Sequence, residues 1–128
     1  MLRSAVFAAA LFVAGAASAA VAVLDGDSLD IDGKRVELWG IIAPAKSETC
    51  RTSTGRDWAC GQAVFDQLRV LSEDETFSCS EKETGFVVCS AGGLDVGRLL
   101  VKEGLARARQ DYHDAEARAR EAKIGLWE

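Results

Sequence analysis

Four cysteines, Cys50, Cys60, Cys79 and Cys89, fall in two equally spaced pairs and constrain this chain more than any other feature. Four cysteines allow three connectivities. The sequential pairing, Cys50–Cys60 with Cys79–Cys89, closes two short local loops, each contributing about 3 kcal/mol in the chain-entropy picture. A zinc site built from all four thiolates is the competing use, but no two of them have the close spacing of a zinc knuckle. Disulfides belong to an oxidising compartment, and the N-terminus agrees. Arg3 supplies a positive start, Ala5 to Ala14 an apolar run, and Ala17-Ser18-Ala19 a small-residue cleavage site. The apolar run is shorter than a membrane span requires. Residues 1–19 are therefore expected to be a cleaved export signal, and residues 20–128 one secreted or periplasmic domain with no membrane span.

Without Arg3 the 15 Lys and Arg residues fall to 14 against 20 Asp and Glu, a formal charge of −6. Proteins that grip phosphate backbones usually present a basic face, so an acidic balance disfavours nucleic acid as a partner. The natural ligand or protein partner is not written in the composition.

Val21 and Val23 alternate with alanines, and Asp25-Gly26-Asp27 marks a turn. Leu29 and Ile31 share one face of a second strand. Asp32-Gly33 is the strongest short hairpin signal, and beyond it Val36 and Leu38 share a face with Trp39 opposite. Residues 21–42 thus read as three antiparallel strands, and residues 43–57, with the single proline, Pro44, as a loop. Ala63, Val64, Leu68 and Leu71 give one face of a helix from about Trp58. Residues 76–89 read as a hairpin turning at Glu83-Thr84-Gly85, which sets Cys79 opposite Cys89. Asp95 is placed to cap a short helix ending at Gly104. A last helix covers about Asp114 to Lys123, with Asp114–Arg118 and Glu116–Arg120 as expected ion pairs. Strands that mostly precede helices imply an α+β domain.

His113, the one histidine, has no partner at catalytic spacing and is expected at the surface. Tyr112 is expected to pack between helices rather than stack on a base. Trp127, just past Gly125, is expected to dock the last helix onto the barrel.

The segments Val23-Leu24-Asp25-Gly26-Asp27-Ser28-Leu29, Arg35-Val36-Glu37-Leu38-Trp39-Gly40-Ile41-Ile42-Ala43-Pro44, Trp58-Ala59-Cys60-Gly61, Gly93-Leu94-Asp95-Val96-Gly97 and the tail from Gly104-Leu105-Ala106 to Gly125-Leu126-Trp127 occur in that order. Together they resemble the thermonuclease, or staphylococcal-nuclease-like, family, in its secreted bacterial branch. The resemblance spans nearly all of residues 20–128. It implies a five-stranded OB-fold barrel with three helices, a fold that binds oligonucleotides on one face. It also implies calcium-dependent cleavage of DNA and RNA, with two metal-binding aspartates, a glutamate near the attacking water and two arginines.

Position by position, that chemistry is missing. Asp27 matches the first metal aspartate, with Asp25 beside it, and both are vestigial at best. Glu37 stands where the resemblance places an arginine, Ile42 where it places the second metal aspartate, and Ala45 where it places the glutamate. Phe86, after Gly85, stands where the second arginine belongs. Arg35, Lys46 and Glu48 are near enough in sequence to be considered as substitutes, but a one-residue slip turns a strand side chain to the other face. The resemblance therefore implies a pseudoenzyme, a noncatalytic binding or scaffold module without a cofactor. The alternative is a calcium-dependent nuclease with a rearranged site. Ile42 is expected to pack on apolar neighbours, so that Ile42→Asp would destabilise the fold.

Overall fold

The structure is a computed structural model that describes residues 19–128. All of the expected export signal except Ala19 lies outside the described residues. β1 (Val21–Asp25) pairs antiparallel with β2 (Ser28–Ile31), and β2 with β3 (Lys34–Leu38). The turn between β2 and β3 places Asp32 and Gly33 at φ 53° and 84°. Positive φ at both central residues is what an Asp-Gly hairpin supplies. After a short β4 (Ile41–Ile42), residues 43–57 are not simply a loop. Within them β5 (Cys50–Arg51) pairs with β6 (Asp57–Trp58), and the Cys50–Cys60 disulfide ties β5 to the start of α1 (Cys60–Ser72).

Val64 and Leu68 of α1 are fully buried, four residues apart on the face that the apolar spacing selects. The chain then forms β7 (Ser78–Glu83) and β8 (Phe86–Ala91), an antiparallel pair with Cys79 opposite Cys89 and the second disulfide between them. β9 (Leu94–Asp95) leads into α2 (Val96–Lys102), where the Asp95 carboxylate caps the helix by accepting from Arg98 N at 3.2 Å. β10 (Arg107–Ala108) pairs back on β4, and α3 (His113–Ala122) precedes a 3₁₀ turn at Gly125–Trp127. Both expected disulfides are present. No helix among the described residues is long and apolar enough to cross a membrane.

The domain is α+β, with three helices on a mixed sheet. The main sheet runs β1-β2-β3-β8-β7, with β9 added to β8, and the β3/β8 contact is parallel. The expected five-stranded barrel is not closed by hydrogen bonds. β1 and β7 are the free ends of the path, and a cleft of about 540 Å³ lined by Val21, Ile31, Phe77 and Cys79 lies between them. The core is built from the inward residues of the strands, among them Leu29, Val36, Leu38, Val87 and Cys89. Val64 and Leu68 of α1, and Val96 and Leu100 of α2, cover them.

One expected ion pair forms differently. Glu116 and Arg120 lie 3.2 Å apart, but Asp114 turns to Arg98 of α2 at 2.8 Å instead of Arg118. The reason is tertiary, because α2 and α3 are packed together and bring Arg98 within reach. Between them stands Tyr112, only 5% exposed and in the left-handed region at φ 67°. Its hydroxyl donates to the Asp95 carboxylate at 2.8 Å, and burial followed by that carboxylate raises its pKa strongly. The ring lies so close to Gly40 that a Cβ there would sit 2.8 Å from it, which explains a glycine at the end of β3.

Tyr112→Phe keeps the ring and removes the bond to a carboxylate. It is expected to lower stability by about 2 kcal/mol in urea melts. A change below about 0.5 kcal/mol, the usual effect of a surface substitution, would mean the bond is not holding the helices together.

Candidate functional site

The turn after β1 is held by packing. A Cβ on Gly26 would collide with Val64 of α1, so the Asp25-Gly26-Asp27 turn lies flat on the helix. This orientation points both carboxylates toward the segment that follows β4. Asp27 Oδ2 accepts from Ala43 N at 2.9 Å, and Asp25 Oδ1 accepts from Lys46 N at 2.8 Å. Glu48 closes the same segment on itself, its Oε2 accepting from Ala45 N at 3.1 Å. Its carbonyl receives Gly61 N at the start of α1. Gly61 is required there, because a Cβ would strike the carbonyl of Ala45.

Burial raises the pKa of Asp27 above its ordinary range. The Ala43 N–H opposes this, and the negative charges of Glu37 and Asp25 add to it.

The other expected positions surround this turn. Glu37 is exposed on β3, cross-strand from Ser28 on one side and from Phe86 on the other. Ala45 is exposed on the tethered segment. Ile42 does not pack in the core. It is 47% exposed on β4, opposite Arg107 of β10, and lines a shallow groove with Pro44, Glu48 and Leu126. The two-residue β4 pairs only with β10, and Ile42 stands at the rim of that groove. Phe86 packs perpendicular to Trp39, ring centres 5.9 Å apart.

The residues considered as substitutes are engaged elsewhere. Lys46 Nζ sits 3.9 Å over the Phe65 ring, Glu48 holds Ala45 N, and Arg35 faces Asp30 across the β2/β3 ladder. No group of three or more His, Cys, Asp or Glu among the described residues could hold a metal ion. The calcium that the resemblance implies does not fit these residues. One carboxylate is committed to a backbone N–H, an isoleucine replaces the second, and calcium takes six to eight oxygens. His113 is exposed at the start of α3, away from any such group.

Two features were not visible in the sequence. Ser28 Oγ is fully buried with no hydrogen-bond partner, and no local pattern signals that. Trp127 lies between two guanidinium groups, Arg107 at 4.8 Å and Arg120 at 4.0 Å from its ring. That stack docks the chain end against β10 and α3.

No protein-family model matches the chain. Among curated proteins it is similar to the succinoglycan biosynthesis protein ExoI of Rhizobium meliloti (strain 1021). The two are 33% identical over 117 residues, covering 82% of this chain and 61% of ExoI. The chain thus spans under two thirds of the length of that relative.

Because the Asp27 pKa is raised in the folded chain, its contribution favours folding below the unfolded carboxyl pKa and is lost as pH rises through the folded one. Asp27→Asn keeps an acceptor for Ala43 N without the charge. In melts across pH it is expected to be more stable than the native protein near neutrality, with the gain vanishing in acid. Asp27→Ala, with no acceptor, is expected to lose about 1 kcal/mol. A native-to-Asn difference that is flat with pH would refute this account.

Ile42→Asp is expected to change stability by less than about 0.5 kcal/mol, since the side chain is exposed. Calorimetry is expected to find no calcium binding tighter than about 1 mM, the weak end for extracellular sites. Sub-millimolar binding would mean the site is preorganised after all.

Proposed function

We propose that this protein is an exported, noncatalytic binding or scaffold module with a staphylococcal-nuclease-like, OB-type domain. The carrying observation is the commitment of Asp27 and Asp25 to backbone N–H groups, beside Glu37 and Ile42 at the positions of an arginine and a metal aspartate. OB folds are partly open five-stranded barrels. The principal strands in the order β1-β2-β3-β8-β7, with α1 carrying the chain from the third to the fourth, are compatible with that build. The two disulfides suit a secreted or periplasmic location.

Magnitudes favour the loss of hydrolysis. Removing an arginine that stabilises transferring phosphoryl charge costs roughly 10³ to 10⁵ in rate. Removing a general base costs roughly 10² to 10⁴. The penalties do not add, but Glu37 also turns an attraction for phosphate into a repulsion. The similarity to a protein named for succinoglycan biosynthesis supports a setting in succinoglycan biosynthesis. Fold and chemistry are separable, so a barrel can retain a binding face after its reaction is gone.

Digestion of heat-denatured DNA and of RNA with calcium is expected to show no turnover above a heat-inactivated control. Turnover abolished by Asp27→Ala would overturn the proposal in favour of a nuclease with a rearranged site.

A further inference from the structure

The chain is held just before β1 by two bonds that lie beyond the strand ladder. Val21 pairs with Ile31 at the end of the β1/β2 register. One residue further out, Asp32 N donates to Ala20 O at 2.9 Å, and Ala20 N donates to Asp32 Oδ1 at 2.9 Å. The turn does not use that carboxylate, because Gly33 N goes to Asp30 Oδ1 at 2.8 Å. Nor does the backbone require a charge at Asp32, since Asn or Gly serves a positive φ equally well in such a hairpin. Asp32 is exposed and forms no ion pair among the described residues. Its carboxylate is aimed at a neutral amide. That amide nitrogen belongs to the Ala19–Ala20 peptide bond, which ends the small-residue pattern Ala17-Ser18-Ala19. Ala19 and Ala20 are exposed and precede the first strand. β1 is a free edge of the main sheet, and a strand end of that kind frays unless it is tied down.

We propose that hydrolysis of the Ala19–Ala20 bond during export makes Ala20 the N-terminus and seats its α-ammonium on the Asp32 carboxylate, a latch that only the processed chain can form. The inference rests on the export reading above and adds what processing does to the fold. A leader peptidase of the export machinery catalyses the step, and water is the co-reactant. The hydroxyl goes to the Ala19 carbonyl carbon, the C–N bond breaks, and the leader leaves as a carboxylate. Ala20 N keeps its hydrogen, gains one from water, and takes up a further proton at neutral pH. The bond to Asp32 then joins two charges, and such bonds are about twice as strong as neutral ones. Only one cleavage point gives this result. Cutting one residue later removes the donor, and cutting one residue earlier leaves a neutral amide opposite Asp32, with Ala19 still lining the cleft between β1 and β7. The other charges at this end are Asp30 and Lys34 of the same hairpin, Arg35 across from Asp30, and Asp74 and Glu75 on the cleft wall.

The test expresses the full chain in a bacterium, purifies it from the periplasm, and reads its intact mass and the titration of the Ala20 amine. The Ala20 methyl group of ¹³C-labelled protein reports that titration. The mass is expected to lack residues 1–19. The amine is expected to titrate at about pH 8.5 or above, over the ordinary α-amino value of about 7.7 to 8.0. Asp32→Asn keeps an acceptor and tolerates the positive φ, so the hairpin is retained, and the amine is expected to return to its ordinary value. A pKa raised on folding stabilises fully below the ordinary value, and that contribution is lost as pH rises through the folded one. The native protein is therefore expected to melt above Asp32→Asn at about pH 6, with the gap closing by about pH 10. An N-terminus other than Ala20, an amine titration unmoved by Asp32→Asn, or a melting gap that does not change with pH each overturns the proposal. Unprocessed protein retained in the cytoplasm would defeat the export reading along with it, whereas processed protein with an unshifted amine defeats only the latch.

Discussion

The backbone N–H groups of Ala43 and Lys46 are held by the carboxylates of Asp27 and Asp25, and the local architecture around β1 follows from those two bonds. They pin the segment after β4 across the turn after β1. That segment carries Glu48, whose carbonyl receives the first turn of α1 at Gly61, and it continues to Cys50, whose disulfide returns to Cys60. Two strands, a loop and a helix are thereby fastened at one point. The bond from Ala43 N to Asp27 is partly buried and the bond from Lys46 N to Asp25 lies at the surface, so the first contributes more, about 1 kcal/mol. Both aspartates hold the backbone of the segment after β4.

Charge around this point is arranged differently from a site that handles phosphate. The negative charges of Glu37 and Asp25 both raise the pKa of Asp27. Several cations lie over rings: Lys46 over Phe65, Lys82 over Trp39, and Arg107 with Arg120 over Trp127. Such contacts use a positive charge for packing and leave little of it directed outward at an incoming anion. The outer face near β3 and β8 carries exposed Glu37 and Glu83 beside half-buried Trp39 and Phe86.

A second fastening secures the far side of the domain. Tyr112 reaches Asp95, which also caps α2, while its ring fills the space left by glycines at positions 40 and 97. A bulky residue at positive φ is unfavourable by itself. It is tolerated because burial and the bond to a carboxylate act together, and Arg98 with Asp114 closes over the same corner. Leu126 N to Gly104 O and Ser53 N to Glu128 O then lay the chain end along the end of α2 and the β5–β6 turn.

Features governed by neighbours in the chain were legible without coordinates. Asp32-Gly33 specifies a hairpin because both residues tolerate positive φ, Val64 and Leu68 specify the buried stripe of α1, Asp95 specifies a cap, and the spacing of Cys79 and Cys89 about a glycine turn specifies a cross-strand disulfide. Each depends on a few consecutive residues, whose period and backbone preference do not change with what packs later. The residue types at Glu37, Ile42, Ala45 and Phe86 were readable in the same way. Tertiary structure alone decided the parallel β3/β8 contact, the cleft between β1 and β7, the exposure of Ile42 and the choice of Arg98 by Asp114. It also decided that Asp25 and Asp27 are bound to a loop some twenty residues away. These outcomes rest on which distant segments share a surface, and an alternating strand pattern is equally satisfied by several partners. The physical cause is that periodicity fixes which face of an element is buried, whereas only the packed chain fixes what that face meets.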